Sequence, residues 1–218
     1  MNPELRMVDS TDWMTLVLLF ALVVFTLGKY LFGSRFSNFI VLPFNNKYLA
    51  LYSKKGKLLN WFHILLTIFQ MTNLALFIYM GKSIVFGASA DQEFLPFWLI
   101  AGLLVTFEAV KILVQLIKGY IFNTYSLVTE LIYNKLSYFN HASILIFIGN
   151  ILLVYVVKDS KIVVYTAFFL FLLVNGIGLV GLLKNNQKLI LNYSFYFILY
   201  LCALEIAPLV ILGSYLKG

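Results

Sequence analysis

Residues 95–117, LPFWLIAGLLVTFEAVKILVQLI, decide how this chain folds. The run is close to the ~20 residues with which an α-helix crosses a bilayer core, and its only charged side chains are Glu108 and Lys111. Lipid offers backbone amides no partner, so a run of this kind is forced to be helical. Glu108, Lys111, Gln115 and Lys118 recur at i, i+3, i+7 and i+10, an arc of about 80° on a helical wheel. They form one polar stripe, which has to face protein or water and never acyl chains. Glu108 and Lys111 are spaced to pair along the helix.

Five more apolar runs flank this one. Together the spans read 13–32, 58–80, 95–117, 140–157, 162–183 and 189–212. The 218 residues are 62% hydrophobic and 11% charged, with a mean hydropathy of +0.93. Soluble domains are nearer half apolar and a quarter charged, so most of this chain has lipid for its solvent. The fold expected is an all-α, polytopic membrane bundle of about six transmembrane helices in one domain. The first run is preceded by Glu4, Asp9 and Asp12 and followed by Lys29 and Arg35, the reverse of a removable signal peptide. Cys202 is the single cysteine, so no disulfide forms within the chain.

A net charge of +7 raises the question of nucleic acid, but the cations flank apolar spans and build no patch, so no nucleic-acid partner is expected. Alternate connections carry ten lysines and arginines on one side (Lys29, Arg35, Lys47, Lys54, Lys55, Lys57, Lys118, Lys135, Lys184 and Lys188). The other side carries five, mixed with acids. The positive-inside rule then places the first group in the cytoplasm and both termini in the periplasm.

Two cytoplasmic connections are too long and too aromatic for bare turns. Residues 33–57 hold Phe36, Phe39, Phe44, Tyr48 and Tyr52, and residues 120–139 hold Tyr120, Phe122, Tyr125, Leu131 and Leu136. Both are expected as interfacial segments lying among anionic lipid headgroups. An internal repeat is also visible. Phe62 to Asn73 and Phe139 to Asn150 share one spacing, and Gly28–Phe32 resembles Lys118–Phe122. Spans one and two would then be a parallel copy of spans three and four, although similarity among aromatic runs also arises by chance.

Charge at the bilayer centre costs at least about 2.5–3.5 kcal/mol per residue, so buried ionisable groups need a reason. Glu108, Lys111 and Glu205 are the candidates for an intramembrane charge cluster, either an ion pair that fixes packing or a proton or substrate relay. Pro208 lies three residues after Glu205 and removes the amide that would bond the carbonyl of Leu204, so a helix kink and a carboxyl coincide there. His63 and His141 stand near the cytoplasmic ends of spans two and four. Two such histidines could ligate haem or a metal, but interfacial histidines are more often simply polar anchors. Asn73, Asn150 and Asn175 have the character of polar helix contacts. No phosphate-binding glycine loop, zinc spacing or nucleophile elbow is present, so no cofactor, metal or conventional catalytic group is expected.

The stretch LYLCALEIAP at 199–208 resembles the terminal motif of a family of multi-span inner-membrane proteins of unknown function from Bacteroidota-type bacteria. Lys111–Phe122 and Tyr138–His141 are similar to that family too, while Gly213-Ser214 departs from the bulkier residues it would carry. The resemblance implies a helical bundle in a Gram-negative inner membrane, with weight on Glu205 and Pro208, and brings no activity. With small loops and no soluble domain, the leading expectation is a non-enzymatic accessory component of an envelope export or assembly machine, bound to another membrane protein. The alternative is a small proton-coupled transporter or lipid carrier built on Glu108, Lys111 and Glu205.

Overall fold

A computed structural model describes residues 12–45, 47–53, 60–86, 94–121 and 123–185. Helix α1 (Asp12–Leu31) is followed by two short helices, α2 (Gly33–Ile40) and α3 (Lys47–Tyr52), and then by three long ones, α4 (Trp61–Phe86), α5 (Phe94–Ile121) and α6 (Tyr125–Ile151). A π-helical stretch, Leu152–Val156, continues α6, and α7 (Lys161–Asn185) closes the described chain. Five of these helices are long and apolar enough to cross a membrane. The sixth expected span, 189–212, lies outside the described residues.

The apolar side chains are distributed as a lipid solvent dictates. Leu16, Leu19, Phe20 and Leu27 on α1 and Leu103, Val110, Leu113 and Ile117 on α5 point outward. Such a surface would aggregate in water, but against acyl chains it costs nothing. Helix α4 is the centre of the bundle. It packs on α1, α5 and α6 and buries 56% of its spanning stretch, against 6% for α5.

Ring contacts fix which ends meet. Trp13 lies edge-on to Tyr79 at 5.2 Å and 5.6 Å from Phe97, so the start of α1, the end of α4 and the start of α5 share one end. Phe32 and Phe62 meet at the other, which also carries Lys29, Arg35 and Lys118 and is called the basic end below. Exposed rings mark both levels, Tyr30, Trp61, Tyr120 and Tyr125 at the basic end and Trp98, Tyr155 and Tyr165 opposite, as expected of interfacial aromatic belts.

The first connection folds as two short helices over the basic end. Helix α2 buries Phe36 and Phe39 and turns Ser37 and Asn38 outward, where they bond back to the carbonyls of Gly33 and Ser34. The second connection differs from expectation. Residues 120–139 do not form a separate interfacial segment; they are the last turn of α5, a tight turn and the first half of α6. Asn123 takes the left-handed conformation (φ 51°) that asparagine tolerates, and a Cβ on Gly119 would stand 3.1 Å from that of Val128. Residues 125–156 rise about 48 Å at 1.5 Å per residue, longer than the ~30 Å hydrocarbon slab.

Candidate functional site

The polar stripe of α5 turns toward α6. Gln115 is buried, Glu108 and Lys111 are half-buried, and Lys118 is exposed. Glu108, Lys111 and Gln115 line a shallow cleft with Ile132, Lys135 and Phe139 of α6, with room for about one water. The Lys111 ammonium also lies 5.7 Å from the centre of the Phe107 ring. Glu205 and Pro208, expected to complete this cluster, lie outside the described residues.

The ring contacts give the depth of the stripe. Trp61 to Tyr79 is about 27 Å of helix, and Phe97, level with Tyr79 through Trp13, is about 21 Å from Lys111 and about 16 Å from Glu108. Lys111 therefore lies about 6 Å, and Glu108 about 10 Å, inside the level of Trp61. Measured along α5 itself, Lys111 lies about 14 Å and Glu108 about 18 Å from exposed Tyr120, near the middle of the apolar stretch Phe97–Ile121.

A second polar cluster, unforeseen in the sequence, joins α3 to α4 and α6. Tyr48, His63, Tyr133 and Ser137 are all buried. Tyr133 donates its hydroxyl to Tyr48 Oη at 2.9 Å, and Tyr48 Oη lies 3.2 Å from His63 Nε2. Ser137 Oγ is 3.3 Å from the same nitrogen and donates to the Tyr133 carbonyl at 2.7 Å. Stacking supports the network. The Tyr133 ring lies 4.3 Å from His63 and 20° from parallel with Tyr48. Burial pushes the Tyr48 hydroxyl far above the ordinary tyrosine range, and neighbouring Tyr133 adds to the rise, so this phenol is a permanent neutral hydrogen-bonding group. Arg35 closes the outside, its guanidinium 5.0 Å from the Tyr52 ring.

His63 and His141 do not form one site. His63 Nε2 is engaged by Tyr48 and Ser137, while His141 Nε2 lies 3.1 Å from the carbonyl of Ile40 at the end of α2. Either would have to give up its bonds to ligate iron through that nitrogen. Among the described residues no group of three potential metal ligands comes together.

Below the network a polar seam continues between α4 and α6. Asn150 donates to the carbonyl of Asn73 at 3.0 Å, and with the His63–Ser137 contact this shows the two helices running parallel. The two asparagines at matching spacing after Phe62 and Phe139 thus lie against each other. Between these two contacts in sequence are Gln70 on α4 and Asn140 and Ser143 on α6, all fully buried. Both amide atoms of Gln70 and of Asn140, and Nδ1 of His63, have no hydrogen-bond partner among the described residues. The signal was available, since His63, Gln70 and Asn73 fall at i, i+7 and i+10 on one face of α4.

No curated protein and no solved structure matches the chain. One family model does, over residues 14–216 and so across every described helix, and the chain accordingly belongs to that family, described as a domain of unknown function, DUF4271.

Proposed function

We propose that this chain is a non-enzymatic, multi-pass protein of a bacterial inner membrane, Bacteroidota-type by its terminal motif, that holds another membrane protein as an accessory component of an envelope export or assembly machine. The observation that carries this reading is the platform at the basic end. Tyr48 locks α3 onto α4 and α6 through His63 and Tyr133, and the loop between α2 and α3 then presents Phe44, 91% exposed, with Val41 and Ile40 beside it. A fixed, outward-facing aromatic group is a ready anchor for a partner helix or loop. By the positive-inside rule this end is cytoplasmic, with anionic headgroups near Lys29 and Arg35 and, with six spans, both termini in the periplasm. A photo-crosslinking residue at position 44 tests it in living cells. One discrete protein adduct supports the reading, and adducts with lipid alone overturn it.

The α4/α6 seam favours a second reading, a small proton-coupled transporter or lipid carrier. The amides of Gln70 and Asn140 and Nδ1 of His63, without hydrogen-bond partners among the described residues, are groups of the kind that mark ion and proton pathways in membranes, and Glu108 and Lys111 lie one helix away. Proteoliposomes with an imposed pH gradient and an entrapped pH dye test it. Dissipation by the wild type that Glu108→Gln abolishes supports transport, and a gradient held as in empty vesicles rules it out.

A further inference from the structure

The polar seam between α4 and α6 holds its costliest groups at mid-membrane. Gln70 stands midway between Trp61 and Tyr79, about 13 Å of helix from each. On the helical wheel it falls between His63 and Asn73, the two α4 residues that meet polar partners on α6. Asn140 and Ser143 fall between Ser137 and Asn150, the α6 side of the same two contacts. Gln70, Asn140 and Ser143 therefore face into the seam, and all are fully buried. Both amide atoms of Gln70, both of Asn140 and Oδ1 of Asn150 are without a hydrogen-bond partner among the described residues. Ser143 gives its proton to the carbonyl of Asn140 at 2.6 Å and keeps its lone pairs. Counted along the helices from the two contacts, Gln70 and Asn140 stand about 6–10 Å apart, too far for a direct bond.

We infer that this seam is a binding site for internal water, shared by Gln70, Asn140, Ser143 and Asn150. An amide left unbonded at this depth is what hydrocarbon makes expensive. A buried water makes about three hydrogen bonds to groups that would otherwise have none, and one water joins polar atoms about 5.5 Å apart. About one or two waters therefore span the distance from Gln70 to Asn140. Two amide NH2 groups and four side-chain oxygens suit a ligand that both donates and accepts. An alkali cation fits less well, because none of these side chains carries a charge and the amide N–H groups would face it. The site is closed at both ends. Leu74, Phe77 and Val154, buried and apolar, follow the asparagines on the same faces, and Tyr48 and Tyr133 cover His63 at the basic end. The water is thus a fixed joint between the two central helices.

Water-edited solid-state NMR of the full 15N-labelled chain in lipid bilayers reads this directly. The side-chain amides of Gln70 and Asn140, assigned through their own backbones, should take up magnetisation from water several-fold faster than the backbone amide of Phe77, which lies in the apolar stretch beyond. Side-chain amides as slow as Phe77 overturn the inference, since another group of the chain would then bond them. N140L, close to asparagine in volume, removes one set of shared partners and should at least halve transfer to Gln70. Unchanged transfer in that folded variant overturns the sharing, and the wild-type comparison decides should N140L fail to fold. Replacing sodium and potassium with N-methylglucamine should leave the transfer unaltered. Its loss would assign the site to an alkali cation and overturn the inference. Hydrated amides in a protein whose vesicles hold their pH gradient would keep the inference and remove only the transport reading.

Discussion

Asn150 reaches from α6 to donate its side-chain amide to the backbone carbonyl of Asn73 in α4, 3.0 Å away, with the Asn73 side-chain oxygen 3.4 Å off. Both residues are fully buried between parallel helices. In hydrocarbon there is no hydrophobic drive to bring helices together, so such bonds and close packing hold the bundle. Replacing Asn150 with alanine should lower stability by about 0.6–1.7 kcal/mol, the range of interhelical bonds in membranes. Unfolding in mixed detergent micelles, followed by tryptophan fluorescence, checks it, and an unchanged midpoint would remove this pair from the account.

Packing of α7 on α6 leaves no room for a side chain at Gly149 of α6 or at Gly178 of α7. A Cβ at Gly178 would lie 2.4 Å from the Tyr138 ring, whereas one at Gly102 on α5 meets nothing within 4 Å. Gly178→Ala should therefore destabilise by about 1–3 kcal/mol through overpacking. Gly102→Ala should stabilise by up to about 1 kcal/mol, because alanine is the better helix former. The same unfolding assay reads both, and the opposite signs make the pair decisive.

The α2–α3 platform should come loose when its polar fastening is cut. Tyr48→Phe removes the hydroxyl that joins His63 to Tyr133, and His63→Ala removes the hub itself. Limited proteolysis at the basic end should quicken several-fold in both variants, more in His63→Ala, while cleavage near Asp159 at the far end stays as in the wild type. Equal protection in all three proteins would show the network to be dispensable for docking.

Alkaline pH should weaken the same fastening. The folded state keeps Tyr48 protonated where an unfolded tyrosine ionises near pH 10, so the folded protein binds more protons above that pH. Tyr48 contributes its full stability below about pH 10 and loses it progressively as pH rises further. Tyr48→Phe should flatten this alkaline decline relative to wild type. A decline of equal slope in both would assign it to other groups.

The spanning helices were legible because lipid leaves a long apolar run no other choice, and the α5 stripe was legible because charge has to turn inward. Residues 120–139 misled for a related reason. Tyr133, Asn134 and Ser137 lower the apparent hydropathy of the segment, yet all are buried against neighbouring helices, so α6 runs on as one helix. Tyr48 could not be singled out, since among the lysines and rings of residues 33–57 nothing local distinguishes it from an interfacial tyrosine. Its role depends on Tyr133, 85 positions away. The depth of Glu108 and Lys111 was hidden as well, because it is set by where Phe97 and Tyr79 meet Trp13.

Co-purification of the full chain from native membranes, comparing wild type with Phe44→Ala, bears most directly on the partner-holding platform. Phe44 is almost wholly exposed, so its loss leaves the bundle intact and removes only the anchor. The expected result is a defined protein partner that accompanies the wild type and falls away from Phe44→Ala at equal expression. A partner retained equally by both, or a wild type that emerges alone after gentle crosslinking, would contradict it.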